Sequence, residues 1–194
     1  MADGIMVQQD PILMNMILNS VTRDRKIYMN EKFTGDSIFK IAYFLDKLIS
    51  LDKKCGTKEP IEIVISSEGG EAYSCVFICT KILSMIESGY EIIITVQDIA
   101  FSAAFFMLIC GSKRRAYKGS RIMAHASNSI AMGRHQDIID DLEETEAIWQ
   151  KLKDITIKQT KITNEKLEEL KKYKIDWYFW ADEALEMGII DEII

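Results

Sequence analysis

An α/β fold, built as right-handed βαβ units around a largely parallel sheet, is what this sequence predicts. Three observations carry the prediction. Short β-branched runs alternate with longer amphipathic segments along the chain. Successive runs lie too close together for any crossover except a helix, and such crossovers are right-handed. Near the middle, an apolar stretch with no charge before Lys113 follows Ser102 directly after a β-branched run, which reads as a buried strand feeding a buried helix.

The elements follow in order. Residues 1–21 mix Met, Gln and Asp with the short apolar patch Ile12-Leu13-Met14 and read as an arm or partly ordered segment. Residues 22–194 form a single domain. Lys26-Ile27-Tyr28-Met29 is the first strand. From Ser37 to Leu51, Ile38, Ile41, Ala42, Phe44, Leu45, Leu48 and Ile49 fall at helical spacing. Cys55 to Pro60 is a loop, and Ile61-Glu62-Ile63-Val64-Ile65 is the second strand, ending in Ser66-Ser67-Glu68-Gly69-Gly70. Ala72 to Glu87 is helical, with Cys75, Val76, Cys79, Ile82, Leu83 and Ile86 inward and Ser88-Gly89 closing it. Glu91 to Gln97 is the third strand.

The helix after Ser102 should end at Gly111, as a C-cap glycine. Arg114–Tyr117 and Arg121–Ala124 read as two short strands joined by the turn Lys118-Gly119-Ser120. A long helix runs from about 136 to 160, with Ile138, Leu142, Trp149, Leu152 and Ile155 against charged faces. Thr163-Asn164-Glu165 opens another helix. Trp177 to Trp180 is extended, Ala181 begins a last helix, and Ile189 to Ile194 closes as a strand.

Composition narrows the function. With 194 residues, 48% of them hydrophobic, the chain can bury one substantial core. A net charge of -6 and no basic stripe argue against a nucleic-acid partner. No apolar run reaches the ~18–20 residues that span a bilayer, and Met1 to Ile5 lacks a signal-peptide pattern. The four cysteines (Cys55, Cys75, Cys79, Cys110) show no CxxC spacing and no pairing with histidine. Free thiols in a reducing, cytoplasmic setting are expected, without zinc or any other cofactor.

Ser102 stands at the mouth of the buried helix, where unpaired backbone N–H groups collect. Most serines at helix starts merely cap. As a nucleophile Ser102 needs a base, and the chain holds only two histidines. His135 lies among Gly133, Arg134, Gln136 and Asp137, a solvated context, whereas His125 ends the extended run Arg121-Ile122-Met123-Ala124. A carboxylate is then needed to fix the tautomer, and Asp176, beside the aromatic run Trp177-Tyr178-Phe179-Trp180, can be shielded from water. The glycine pair in the Ser66–Gly70 turn lets backbone approach a ligand. Gly70 and Ala103 would each offer an N–H to an oxyanion.

From about Arg23 to Ile194 the chain resembles the proteolytic subunit of the Clp protease, in the ClpP/crotonase superfamily. Ile61–Gly70 is similar to the family's strand ending in Asn-Ser-Pro-Gly-Gly, and Ala100-Phe101-Ser102-Ala103-Ala104 to its nucleophile segment Ala-Ala-Ser-Met-Gly. Ser120-Arg121-Ile122-Met123-Ala124-His125 resembles Ser-Arg-Val-Met-Ile-His, whose histidine is the base. Asp176 to Ala184 is similar to the segment opened by the triad aspartate, and Met187 to Ile193 resembles Tyr-Gly-Leu-Ile-Asp-Glu-Val.

The resemblance implies a ClpP/crotonase-like spiral of βαβ units with a protruding handle helix at about 136–160. It implies a Ser102-His125-Asp176 serine endopeptidase acting on peptides or unfolded proteins inside a homo-oligomeric ring, two stacked heptamers in the family, with an AAA+ ATPase unfoldase as partner.

Several positions depart from the pattern. Glu68 replaces the proline of the oxyanion turn, Ala103 and Ala104 replace Met and Gly, and Phe101 adds bulk expected to narrow the pocket. Ala126-Ser127-Asn128 lacks the family's Gln-Pro, and the arm before Val21 resembles the family's axial segment poorly. Two alternatives stand beside the peptidase. One is a crotonase-type acyl-CoA enzyme using carboxylates for proton transfer, which CoA-ester binding would favour. The other is a ring scaffold whose site is blocked by Phe101 or Glu68, which failure to react with a fluorophosphonate would favour.

Overall fold

A ten-residue strand, β3 (Ile92–Phe101), is the spine of the molecule. The computed structural model describes residues 11–126 and 134–194. The expected arm over residues 1–10, and Ser127-Asn128 after the histidine, lie outside them. On one side of β3 lies β2 (Ile61–Ser67), and beyond it β1 (Lys26–Met29), both parallel to it. On its other side β3 serves two partners in succession. Its first half pairs with β4 (Lys113–Ala116) and its last residues with β5 (Arg121–Ala124), again in parallel. The Lys118-Gly119-Ser120 turn makes this possible. Ser120 is buried, and its hydroxyl donates to the Val96 carbonyl at 3.1 Å. The short strand β7 (Glu192–Ile193) extends the sheet beyond β4. Among the described strands only β6 (Trp177–Trp180) is antiparallel, and it pairs with β5. The sheet is therefore largely parallel, as the order of elements predicts.

Helices cover the sheet: α2 (Gly35–Cys55), α3 (Ala72–Glu87), α4 (Ala103–Ile109) and α5 (His135–Gln159), followed by α6 (Asn164–Tyr173) and α7 (Ala181–Glu186). Thr34 starts α2 with a capping box, accepting from the Ser37 N–H while the Ser37 hydroxyl accepts from the Thr34 N–H. Buried Ile38, Ile41, Leu45 and Leu48 then face Ile27, Ile61, Ile63 and Ile65 of the sheet within one apolar core. All seven residues of α4 are buried, so this short helix needs no amphipathic stripe.

Four boundaries differ from expectation. Pro11–Asp24 is a helix, α1, where an arm was expected, and its Val21 is buried against the core. β3 runs on to Phe101, because β5 supplies hydrogen-bond partners past Gln97. α4 closes at Cys110 in right-handed geometry, so Gly111 is not its cap. Gly111 instead lies against Ile94, where a Cβ would approach to 3.1 Å. The closing strand is confined to Glu192–Ile193.

The first half of α5 carries no buried residue before Ile148, and Leu142 is 54% exposed. Cys75, Cys79 and Cys110 are buried and Cys55 exposed, all as free thiols. Among the described residues no helix is long and apolar enough to cross a membrane.

Candidate active site

Strand register assembles the site. In the antiparallel β5–β6 pair Ala124 stands opposite Trp177, so one further step places His125 opposite Asp176. In the parallel β3–β5 pair Phe101 stands beside Met123, which brings Ser102 to the same end of the sheet. The three side chains meet there. The Ser102 hydroxyl lies 2.7 Å from His125 Nε2, and His125 Nδ1 lies 3.1 Å from Asp176 Oδ1. A carboxylate can only accept, so the proton sits on Nδ1 and donates to Asp176. Nε2 is then left to accept from the Ser102 O–H.

Ser102 occupies the N-cap position of α4 but does not cap it. Its φ of 55° and ψ of -118° turn the side chain away from the helix and toward His125. A non-glycine residue in that conformation costs of order 1–3 kcal/mol and persists only where the surroundings over-determine it. Here they do. The Ser102 N–H donates to the Met123 carbonyl at 3.0 Å, and its own carbonyl accepts from Phe105 N–H at 3.0 Å.

The turn after β2 packs directly on this one. Gly69 has a φ of 91°, and a Cβ there would stand 2.6 Å from the Phe101 carbonyl oxygen and 2.8 Å from the Ser102 Cβ. Gly70 forms a parallel bridge with Phe33. That bridge uses the Gly69 carbonyl and the Glu71 N–H, at 2.8 Å each, so the Gly70 N–H points to the opposite side. Gly70 and Ala103 both line the cleft beside Ser102.

This cleft, of about 380 Å³, is bounded by Glu68, Glu71, Ala72, Cys75, Phe106, Met123 and Leu152 besides Gly70, Ser102, Ala103 and His125. Of the residues singled out from the sequence, Ser102, His125, Asp176, Gly70 and Ala103 gather at this end of the sheet. His135 does not, and is exposed at the start of α5. Two expectations are corrected. Asp176 is not shielded, its side chain being 54% exposed. The neighbouring rings turn elsewhere, Trp177 onto Phe179 and Tyr178 edge-on to Phe101. Phe101 is also absent from the cleft lining, because it packs against Tyr178. Sequence reasoning missed Phe106 as a wall, although it lies one helical turn beyond Ser102. It also missed Leu152 and Met123, whose proximity is tertiary.

The family model described as Clp protease matches residues 9–194. The chain belongs to the Clp protease family. It is 26% identical over 178 residues to the ATP-dependent Clp protease proteolytic subunit of Deinococcus radiodurans, covering 92% of this chain and 84% of that one. It is likewise 26% identical over 180 residues to the ATP-dependent Clp protease proteolytic subunit 2 of Bifidobacterium longum, covering 92% and 83%. The mixed α/β architecture with its mostly parallel sheet is consistent with the fold of this Clp family.

Proposed function

We propose that this protein is a serine endopeptidase, with Ser102 as nucleophile, His125 as general base and acid, and Asp176 orienting the imidazole. The observation that carries the reading is the hydrogen-bonded chain from Ser102 through His125 to Asp176, at 2.7 and 3.1 Å. Ser102 Oγ bonds to the scissile carbonyl carbon while its proton passes to His125 Nε2. The oxyanion that forms accepts from the N–H groups of Gly70 and Ala103. Collapse breaks the C–N bond, and Nε2–H protonates the leaving amine. Water, deprotonated by His125, then cleaves the ester and restores the serine hydroxyl.

The proposal extends to assembly: a homo-oligomeric ring of stacked heptamers, acting in the cytoplasm on peptides or unfolded protein with an AAA+ ATPase. The unburied first half of α5 and the exposed aromatics Phe39, Tyr43, Tyr73 and Phe77 on α2 and α3 support a subunit interface. The matched relatives are named as proteolytic subunits of ATP-dependent proteases, which supports the ATPase.

The test is a fluorophosphonate probe on the assembled protein, mapped by mass spectrometry. Ser102 Oγ should displace fluoride and carry the adduct, and the adduct should vanish in His125→Ala. An unlabelled wild-type protein would refute the reading.

A further inference from the structure

We infer that Glu68 and Glu71, two carboxylates lining the cleft, make this site select substrates with a lysine or arginine side chain next to the scissile bond; the inference rests on the serine-peptidase reading above. Among the described residues of the lining, the carboxylates are those of Glu68 and Glu71, and no lysine or arginine stands beside them.

The nearest cation to Glu68 is the Lys32 ammonium, at 3.8 Å, with the two side chains 74% and 67% exposed. An exposed pair at that distance holds little and yields readily to a better-placed cation. Glu71 Oε2 accepts from the Ser74 hydroxyl at 2.9 Å, which fixes the carboxylate and leaves Oε1 available. The rest of the wall is apolar, with Phe106, Met123 and Leu152 all buried side chains.

An apolar wall with carboxylates in the same cleft suits one kind of substrate side chain: a long alkyl stem ending in a cation. A purely apolar side chain would strip water from the carboxylates without replacing their hydrogen bonds, and an acidic one would be repelled. The departure at Glu68 from the family's proline therefore becomes a specificity device, and Glu71 its partner.

Two peptidyl phosphonate esters, identical but for an arginine or a leucine side chain at the position mimicking the cleaved residue, provide the test. The rate of Ser102 labelling is followed by mass spectrometry on the assembled protein. The arginine probe should react at least about fivefold faster, the scale of charge-assisted hydrogen bonds in a partly exposed site. That ratio should fall toward one in Glu68→Gln/Glu71→Gln. In Glu68→Lys/Glu71→Lys a third probe carrying glutamate at the same position should react faster than the arginine probe. A wild-type ratio of one or below, or a ratio unmoved by the double substitution, overturns the inference and leaves the peptidase reading standing. If a simple fluorophosphonate also fails to label Ser102, both fall together.

Discussion

Two turns at neighbouring strand ends do different work with the same topology. Each carries the chain from a parallel strand into a helix, β2 into α3 and β3 into α4. The first solves the sharp reversal with glycines, Gly69 and Gly70 at φ of 91° and 153°. The second uses Ser102 at φ 55°, a conformation that glycine would adopt at lower cost. The contrast follows from what each turn presents. At Gly69 and Gly70 the first turn presents backbone alone, and a Cβ at either would press on neighbouring backbone atoms. The second carries a hydroxyl that reaches His125, and its backbone absorbs the strain. Helix-cap chemistry alone would not produce this arrangement, since the Ser102 side chain makes no cap bond.

The largest effect is expected from substitutions that separate hydroxyl from strain. Ser102→Ala and Ser102→Gly should both lower peptide hydrolysis by about 10⁴-fold or more, since both remove the nucleophile. They should differ in stability. Alanine keeps the strained backbone and glycine relaxes it, so Ser102→Gly should be the more stable by about 1–3 kcal/mol. For a chain of this length that is a Tm difference of very roughly 2–10 °C by calorimetry. Equal Tm values would mean that the turn is not strained and that the comparison fails.

Gly69→Ala breaks the other turn. The new methyl would press on the Phe101 carbonyl, held by the β3–β5 pairing, and on the Ala103 nitrogen at the start of α4, and it would enforce a left-handed conformation that alanine resists. A loss of about 3 kcal/mol is expected, measured by urea denaturation. Ser102 labelling should slow as well, because the methyl meets the Ser102 Cβ at 2.8 Å. A stable variant with normal labelling would show that the two turns are not packed as one unit.

The legibility of the molecule divides along the same line. The apolar periodicity of α2 and α3, and the β-branched run of β2, are local signals legible within a few residues. Ser102, His125 and Asp176, the proposed triad, stand out as candidates because each sits beside a strand end that the sequence marks. What escaped reading depends on pairing between distant segments. β3 extends past Gln97 only because β5 meets Ile99–Phe101, and Pro11–Asp24 helices where its composition suggested an arm. The outward face of Asp176 and the inward faces of Phe106 and Leu152 depend on how helices and strands pack. No spacing rule reports that.

The smallest effect concerns the opposite ends of the strands, where charge pairs add to the backbone pairing. Glu62, near the start of β2, pairs with the Lys26 ammonium at 2.8 Å and accepts from the Thr95 hydroxyl at 2.7 Å. Burial pushes its carboxyl pKa up, but these bonds outweigh it and hold the group below its ordinary value of 4.5. Asp191, just before β7, is treated alike: burial raises its pKa, and the bonds from Arg114 bring it below 3.8. A carboxylate whose folded pKa is depressed contributes its full stabilisation above its unfolded value and loses it as pH falls through the folded one. Acidification below those ordinary values should therefore lower the Tm progressively. Glu62→Gln should flatten the acid limb of the Tm-against-pH curve, and Asp191→Asn should flatten it less, because the Asp191 carboxylate, 39% exposed against 19% for Glu62, is the better screened of the two. An acid limb unchanged by Glu62→Gln would mean that the charge tie at the strand starts contributes nothing to the stability of the sheet.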